Sequence, residues 1–372
     1  MKKLERLIIS CGGTGGHFFP GLSIAREFQA QGGNVLLLLS GVNTPSQVQC
    51  ARDFGIEAVG LPLMPSPKRS PFKFLSGAVR GYIQAARVMK DFAPQAVLGM
   101  GSFAMTPVLL AALKKDIPVA LHDGNARIGK GNRIFSRRAK VLGAGFPAVN
   151  AARCRCRIVD VGMPVRPELR SKVGITRSEA LNKLNELFNA SLEEERITVL
   201  VFGGSQGAAV FNSVLPQALC AERERPIQVL HLCGKGKKAE AERIYANADF
   251  PVLLLESSSS MEYFLGAADA VFCRSGGSTL AELALFGKGA FLVPYPYAAE
   301  GHQQDNAEYF ERSNAAVVIA NSDFTVEKAV ELLQNEVFGS RELLKQRGSA
   351  AAGLARPDAA EAMLREISAI IR

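Results

Sequence analysis

Apolar residues in this chain come mostly as short unbroken runs. One series lies at residues 4–10, 35–40, 96–99, 118–122 and 158–161. A second lies at 198–202, 229–232, 252–255, 270–273, 290–293 and 316–319. Runs of this length, aliphatic on both sides of the pleat, predict strands covered on both faces. Stretches with helical periodicity separate them, among them 20–31, 71–92, 207–221 and 279–286. Alternating strand and helix predicts parallel sheets and the α/β class. Eleven or more strands would make an unusually wide single sheet, so two sheets are expected. The break falls in GMPVRPE, residues 162–168, where two prolines stop regular structure. Another helix-rich stretch, 177–195, precedes the second series. The last helix, 358–371, has no strand after it and can pack on either domain.

The length of 372 residues suits two domains or three. With 48% hydrophobic and 21% charged residues, disorder is excluded. No apolar run approaches the roughly 18 residues that span a bilayer. The N-terminal apolar stretch is too short for a signal peptide, so an intracellular protein is expected. A net charge of +9 favours an anionic partner, whether nucleic acid, acidic membrane or phosphorylated substrate. Seven cysteines, without zinc-type spacing, predict reduced structural thiols.

Candidate chemistry concentrates where strands end. Three glycine-rich loops follow strands: CGGTGGH at 11–17, GMGS at 99–102 and GGSQG at 203–207. A fourth, RSGGS at 274–278, precedes the helix that carries Glu282. Glycine lets the backbone approach a phosphate, and the following helix supplies unpaired N–H groups and partial positive charge. One such loop alone reads as a tight βα turn. Four of them, at the edges where open sheets bind ligands, favour anionic ligands. A dinucleotide site fits poorly, although residues 99–104 read G-x-G-x-x-A. The second strand ends in Ser40-Gly41, where an acid should hold a ribose, and no Walker lysine follows any loop.

The four histidines are His17, His122, His231 and His302. His17, His122 and His302 fall at strand ends or loops, where a side chain would face a cleft. His17 stands out, because a neutral imidazole beside phosphate-binding amides can act as a base near neutral pH. No D-x-D pair is present to bring a metal to a nucleotide diphosphate, and no metal or other cofactor is expected. Residues 72–92 interleave Phe72, Phe74, Leu75, Val79, Tyr82 and Ile83 with Lys73 and Arg80, just after Lys68 and Arg69. The bland reading is a helix with its apolar side in the core. The sharper one is a membrane-surface patch centred on 68–83.

These motifs together resemble those of the bacterial peptidoglycan N-acetylglucosaminyltransferases. The resemblance rests on GGTGGHFFPGLSIA at 12–25, then GMGSFAMTP, HDGN, VGMPVR, VFGGSQGA, CGKGKK, CRSGGSTLAEL and PYPYAAEGHQQDNA, in order. It runs from residue 7 to about 320 and implies two Rossmann-like domains facing across a cleft, the GT-B arrangement. The expected domains are 1–163 for the acceptor and membrane, and 164–357 for the donor, with helix 358–372 able to join the first. The implied reaction moves N-acetylglucosamine, with inversion, from UDP-N-acetylglucosamine to the C4 hydroxyl of the muramoyl-pentapeptide of lipid I. The product is lipid II.

By this resemblance His17 and Asn125 are catalytic, and Gly13, Gly101 and Ser102 meet the acceptor diphosphate. Thr14, Gly15, Gly16, Arg166, Ser205, Gln206, Ser258, Met261, Glu282, Gln303 and Asn306 serve the donor. Lipid I, an anionic membrane surface on the cytoplasmic side and other cell-wall synthesis proteins are the implied partners, and nucleic acid is not. Three motifs depart from the family pattern. H-E-Q-N reads His122-Asp123-Gly124-Asn125, G-G-Y reads Gly101-Ser102-Phe103, and G-N-P reads Gly162-Met163-Pro164. All lie on the acceptor side or at the hinge. Two other functions therefore stay open: a related transferase with another lipid or small-molecule acceptor, and a degenerate UDP-sugar-binding scaffold.

Overall fold

The computed structural model describes residues 3–64, 70–204, 206–222 and 225–371. The chain forms two compact units, one of residues 1–166 with 356–372, the other of 167–355.

In the first unit seven parallel strands pair in the order β3-β2-β1-β4-β5-β6-β7. They are β1 Arg6–Cys11, β2 Asn34–Leu39, β3 Glu57–Gly60, β4 Ala96–Gly99, β5 Val119–Asp123, β6 Val141–Ala144 and β7 Arg157–Asp160. The continuous apolar runs arise because the inner strands are covered twice, whereas the edge strands β3 and β7 stay partly exposed. Leu7 and Ile9 enter one core layer and Ile8 the other. The C-terminal helix Ala359–Ile370 packs on this unit, burying Ala360, Met363, Leu364 and Ile367 with the helix Gly15–Ala30. Each large apolar side chain so buried contributes about 1.5–3 kcal/mol.

The second unit repeats the plan with six parallel strands in the order β10-β9-β8-β11-β12-β13. These are β8 Ile197–Phe202, β9 Ile227–Leu232, β10 Val252–Leu255, β11 Ala270–Cys273, β12 Ala290–Leu292 and β13 Ala316–Val318. Two strands, β3 and β6, were not expected from the sequence. Each has only four residues, and Gly60 and Gly143 cut their apolar runs short.

The helix Pro71–Phe92 carries its apolar residues on an unexpected side. Its buried face is Gly77, Gly81, Ala85 and Met89. A Cβ on Gly81 would stand 3.2 Å from Pro107, and one on Gly77 would stand 2.7 Å from the Leu63 carbonyl oxygen. Small residues thus let this helix lie close on the helix Thr106–Lys114. The large apolar residues turn outward: Phe72 is 87% exposed, Leu75 62%, Val79 50% and Ile83 45%. This corrects the bland reading, which placed them in the core. Phe74, expected in the outward patch, is instead half-buried. Lys68 and Arg69 lie outside the described residues.

Candidate active site

In an open parallel sheet, loops diverge where strand order reverses, and ligands bind there. In the first unit that point lies between β1 and β4, with Ser10 opposite Gly99. The loops that follow are the first two glycine loops. The helix after β1 begins at Gly15, not at Pro20 as the sequence predicts. Proline commonly opens helices because its missing N–H costs nothing there. Here Pro20 lies inside the helix, and the glycine loop itself forms the first turn.

That shift places His17 on the first turn. Its Nδ1 lies 2.9 Å from Thr14 Oγ1. In the tautomer that donates Nδ1–H to Thr14, Nε2 keeps its lone pair. The ring lies against Gly101, where a Cβ would stand 3.2 Å from Cδ2 and 3.3 Å from Nε2. Gly101 also has φ +88°, so both space and backbone require glycine. The β1 and β4 loops are thereby brought together around an imidazole.

The β5 loop joins them through Asn132, which the sequence did not single out because its helix, Lys130–Phe135, is too short to show periodicity. Asn132 Nδ2 donates to the His122 carbonyl and to Asp123 Oδ2, both at 2.9 Å. Asp123 also accepts from the backbone N–H of Gly129 at 2.8 Å and of Asn125 at 3.2 Å. The carboxylate is buried and organises the loop that carries Asn125. His122 is also buried, rather than facing open space as expected. Its Nε2–H donates to the Gly162 carbonyl at 3.1 Å, and burial lowers its pKa. Two of the departures from the family pattern touch: a Cβ on Gly124 would stand 2.6 Å from Met163 Sδ. Arg166 lies in this first unit, with its guanidinium 5.5 Å from the centre of the Phe19 ring.

In the second unit the reversal lies between β8 and β11, with Phe202 opposite Cys273. The loops 203–207 and 274–278 follow these strands. Ser205 lies outside the described residues. The carbonyl of Gln206 accepts from Lys237 Nζ at 2.7 Å. Glu282 is half-buried in the helix Gly277–Leu285. Ser258 Oγ accepts the Ser260 N–H at 3.1 Å, just before the helix Met261–Ala267. The Met261 side chain is buried, so a ligand contact there uses its backbone N–H at the helix start.

Gln303 Oε1 accepts the Tyr295 N–H at 3.0 Å, which fixes the amide with its NH2 as the remaining hydrogen-bonding group. Asn306, expected to touch the donor, is fully buried. It donates to the Ser275 carbonyl at 3.0 Å and braces the 274–278 loop instead. Arg274, which the sequence reading left without a role, braces the same region. One guanidinium nitrogen donates to the carbonyls of Val293 and Pro294 and to Asn321 Oδ1. Among the described residues no three His, Cys, Asp or Glu side chains gather as a metal site.

Two sheets of this strand order, each with glycine loops beside its reversal point, form the GT-B fold, and the family matches make the chain a glycosyltransferase. Comparison with known proteins agrees. Residues 7–143 match the glycosyltransferase family 28 N-terminal domain, and residues 198–363 match its C-terminal domain. The chain is 32% identical to a Desulforamulus reducens protein named UDP-N-acetylglucosamine–N-acetylmuramyl-(pentapeptide) pyrophosphoryl-undecaprenol N-acetylglucosamine transferase, covering 98% of this chain and 99% of the relative. A protein of the same name from Xanthomonas axonopodis is 34% identical, over 96% of this chain and 80% of the relative. The crystal structure of Acinetobacter baumannii MurG aligns with a TM-score of 0.77 at 28% identity, covering 98% of this chain and 100% of that one. A Neisseria meningitidis UDP-GlcNAc 2-epimerase, at 13% identity and a TM-score of 0.69, shares the fold. The chain belongs to the MurG family of peptidoglycan N-acetylglucosaminyltransferases within glycosyltransferase family 28.

Ser102 stands where the family pattern has glycine, and its backbone shows the cost. It has φ +63° and ψ 164°, a region that is nearly glycine-only. Its Oγ accepts the Ala104 N–H at 3.1 Å and recovers part of that strain. Ser102→Gly should stabilise the protein by about 1 kcal/mol in urea denaturation. Unchanged or lower stability would show that the Oγ bond outweighs the backbone strain.

Proposed function

We propose that this chain transfers N-acetylglucosamine from UDP-N-acetylglucosamine to lipid I, giving lipid II. The observation that carries this reading is likeness to the relatives over nearly the whole chain, with glycine loops at the reversal point of both sheets. Each unit supplies the loops for one substrate. The first takes the acceptor diphosphate at Gly13, Gly101 and Ser102. The second takes UDP through the 203–207 loop, the 256–261 segment, Glu282 at the ribose and Gln303 at the sugar.

In the reaction His17 Nε2 accepts the proton of the acceptor C4 hydroxyl. The oxygen forms a bond to the anomeric carbon from the face opposite the diphosphate. The bond from that carbon to the phosphate oxygen breaks, UDP keeps the electron pair, and the configuration inverts. Asn125, held by Asp123, serves the acceptor side. Backbone N–H groups at helix starts of the second unit stabilise the leaving diphosphate, so this reading assigns no tightly bound metal.

The acceptor's lipid tail cannot leave the bilayer cheaply, so the enzyme works at the membrane surface. Among the described residues no helix is long and apolar enough to cross a membrane. The exposed stripe of Phe72, Leu75, Val79 and Ile83, flanked by Lys73 and Arg80, suits a peripheral contact on the cytoplasmic side. Apolar groups enter the headgroup layer, and each basic residue adds about 1 kcal/mol on anionic lipid.

Turnover of UDP-N-acetylglucosamine with a lipid I analogue tests the reading directly. His17→Ala should lower kcat by about two to four orders of magnitude with donor affinity kept. A loss under about fivefold would assign the base elsewhere. Glu282→Ala should raise the donor KM at least about tenfold and leave the acceptor KM alone, because a carboxylate on ribose hydroxyls makes charge-assisted bonds. An unchanged donor KM would remove Glu282 from the site. A variant combining Phe72→Ser, Leu75→Ser, Val79→Ser, Lys73→Gln and Arg80→Gln should lose co-sedimentation with anionic vesicles yet still turn over a soluble short-chain acceptor. Sedimentation equal to wild type would move the membrane contact to another surface.

A further inference from the structure

Behind the loop assigned above to UDP lies a chain of buried polar side chains that no site residue accounts for. His231 on β9 is fully buried. Its Nε2 lies 3.1 Å from Asn212 Oδ1, and its Nδ1 lies 3.1 Å from the Tyr245 hydroxyl. Asn212 Nδ2 lies 3.0 Å from the Cys233 carbonyl.

The direction of every bond follows from that carbonyl, which can only accept. Asn212 must donate its NH2 to it, so its Oδ1 accepts from His231 Nε2–H. His231 Nδ1 then carries the lone pair and takes the Tyr245 proton. Burial lowers the His231 pKa to about 4, so the ring is neutral and the order persists at neutral pH. The Tyr245 ring meets the imidazole edge to face at 5.8 Å.

The carbonyl at the end of this chain is where two loops touch. Gly207, at φ +63°, closes the 203–207 loop, and a Cβ on it would stand 2.1 Å from the Cys233 oxygen. A Cβ on Gly234 would stand 2.6 Å from Gly207 Cα and N. On its other side the same loop reaches the 256–261 segment. Gly234 N–H donates to the Glu256 carbonyl at 2.9 Å, and Gly236 N–H donates to Glu256 Oε1 at 2.7 Å. Lys237 Nζ returns to the Gln206 carbonyl at 2.7 Å. Residues 233–237 therefore tie the glycine loop to the 256–261 segment, also assigned above to UDP.

We propose that Tyr245, His231 and Asn212 are positioning residues for the donor: by fixing the Cys233 carbonyl they set the register of the 203–207 loop against residues 256–261, and so govern affinity for the nucleoside diphosphate. This rests on the assignment of UDP to the second unit. Without the Tyr245 hydroxyl, His231 Nδ1 loses its donor and the ring is held at one end only, which loosens Asn212 and the Cys233 carbonyl that it supports.

The test is calorimetric binding of UDP to the full chain, well below its melting transition. Acceptor KM and melting temperature are followed in parallel. Asn212→Leu should weaken UDP at least about tenfold, and Tyr245→Phe about three- to tenfold, the worth of one buried hydrogen bond. The acceptor KM should stay within about twofold, which a general loosening of the core would not give. Histidine nitrogen spectra should show His231 as the neutral Nε2–H tautomer in wild type; the Nδ1–H tautomer would overturn the chain of bonds. If Asn212→Leu does not fold, Tyr245→Phe alone decides. UDP affinity unchanged in a folded variant overturns the inference while leaving the donor assignment intact. A wild-type chain that binds no UDP overturns both.

Discussion

Parallel pairing at the point where strand order reverses is the constraint on which the rest depends. When every strand runs the same way, every following loop emerges on one edge of the sheet. Between β1 and β4 the helices that follow leave for opposite faces of the sheet, and the same reversal of strand order recurs between β8 and β11. The helices Gly15–Ala30 and Gly277–Leu285 start there, with first-turn N–H groups at the same edge. The glycine loops are where they are because of this geometry.

The site is made largely of backbone, so side chains matter as much for holding loops as for touching ligands. His17 holds two loops together across Gly101. Asp123 and Asn132 shape the loop that carries Asn125. Arg274 and Asn306 do the same for residues 274–278 and 293–297. These buried or half-buried side chains bond to loop carbonyls and amides, and an unpaired polar group there costs about 1–3 kcal/mol. A polar residue in a family motif is thus as apt to shape a loop as to touch a substrate.

The helix Pro71–Phe92 shows the opposite economy. Burying glycine and alanine gives up apolar burial but allows close approach to the neighbouring helix. The large apolar residues are left exposed. An exposed apolar stripe beside basic residues is what the proposed membrane contact requires, and it lies in the same unit as the first two glycine loops.

From the sequence alone, eleven of the thirteen strands among the described residues, the α/β class, two sheets and all four glycine loops could be read, because continuous apolar runs and glycine clusters are local signals. The motifs in order also carried the family. What sequence could not show was which polar residues face inward. Nothing in the bare motif separates Asn306, which is buried, from Gln303, which keeps an NH2 to offer. The start of the first helix at Gly15 was hidden because local preference puts proline at a helix start. Helical periodicity in residues 71–92 marked an amphipathic helix but not which side faced in. Packing against Pro107 and Leu63 decided that, because only a face of small residues fits there. Local chemistry is written along the chain. Burial, and the choice between a residue that binds and one that braces, arises only when distant segments meet.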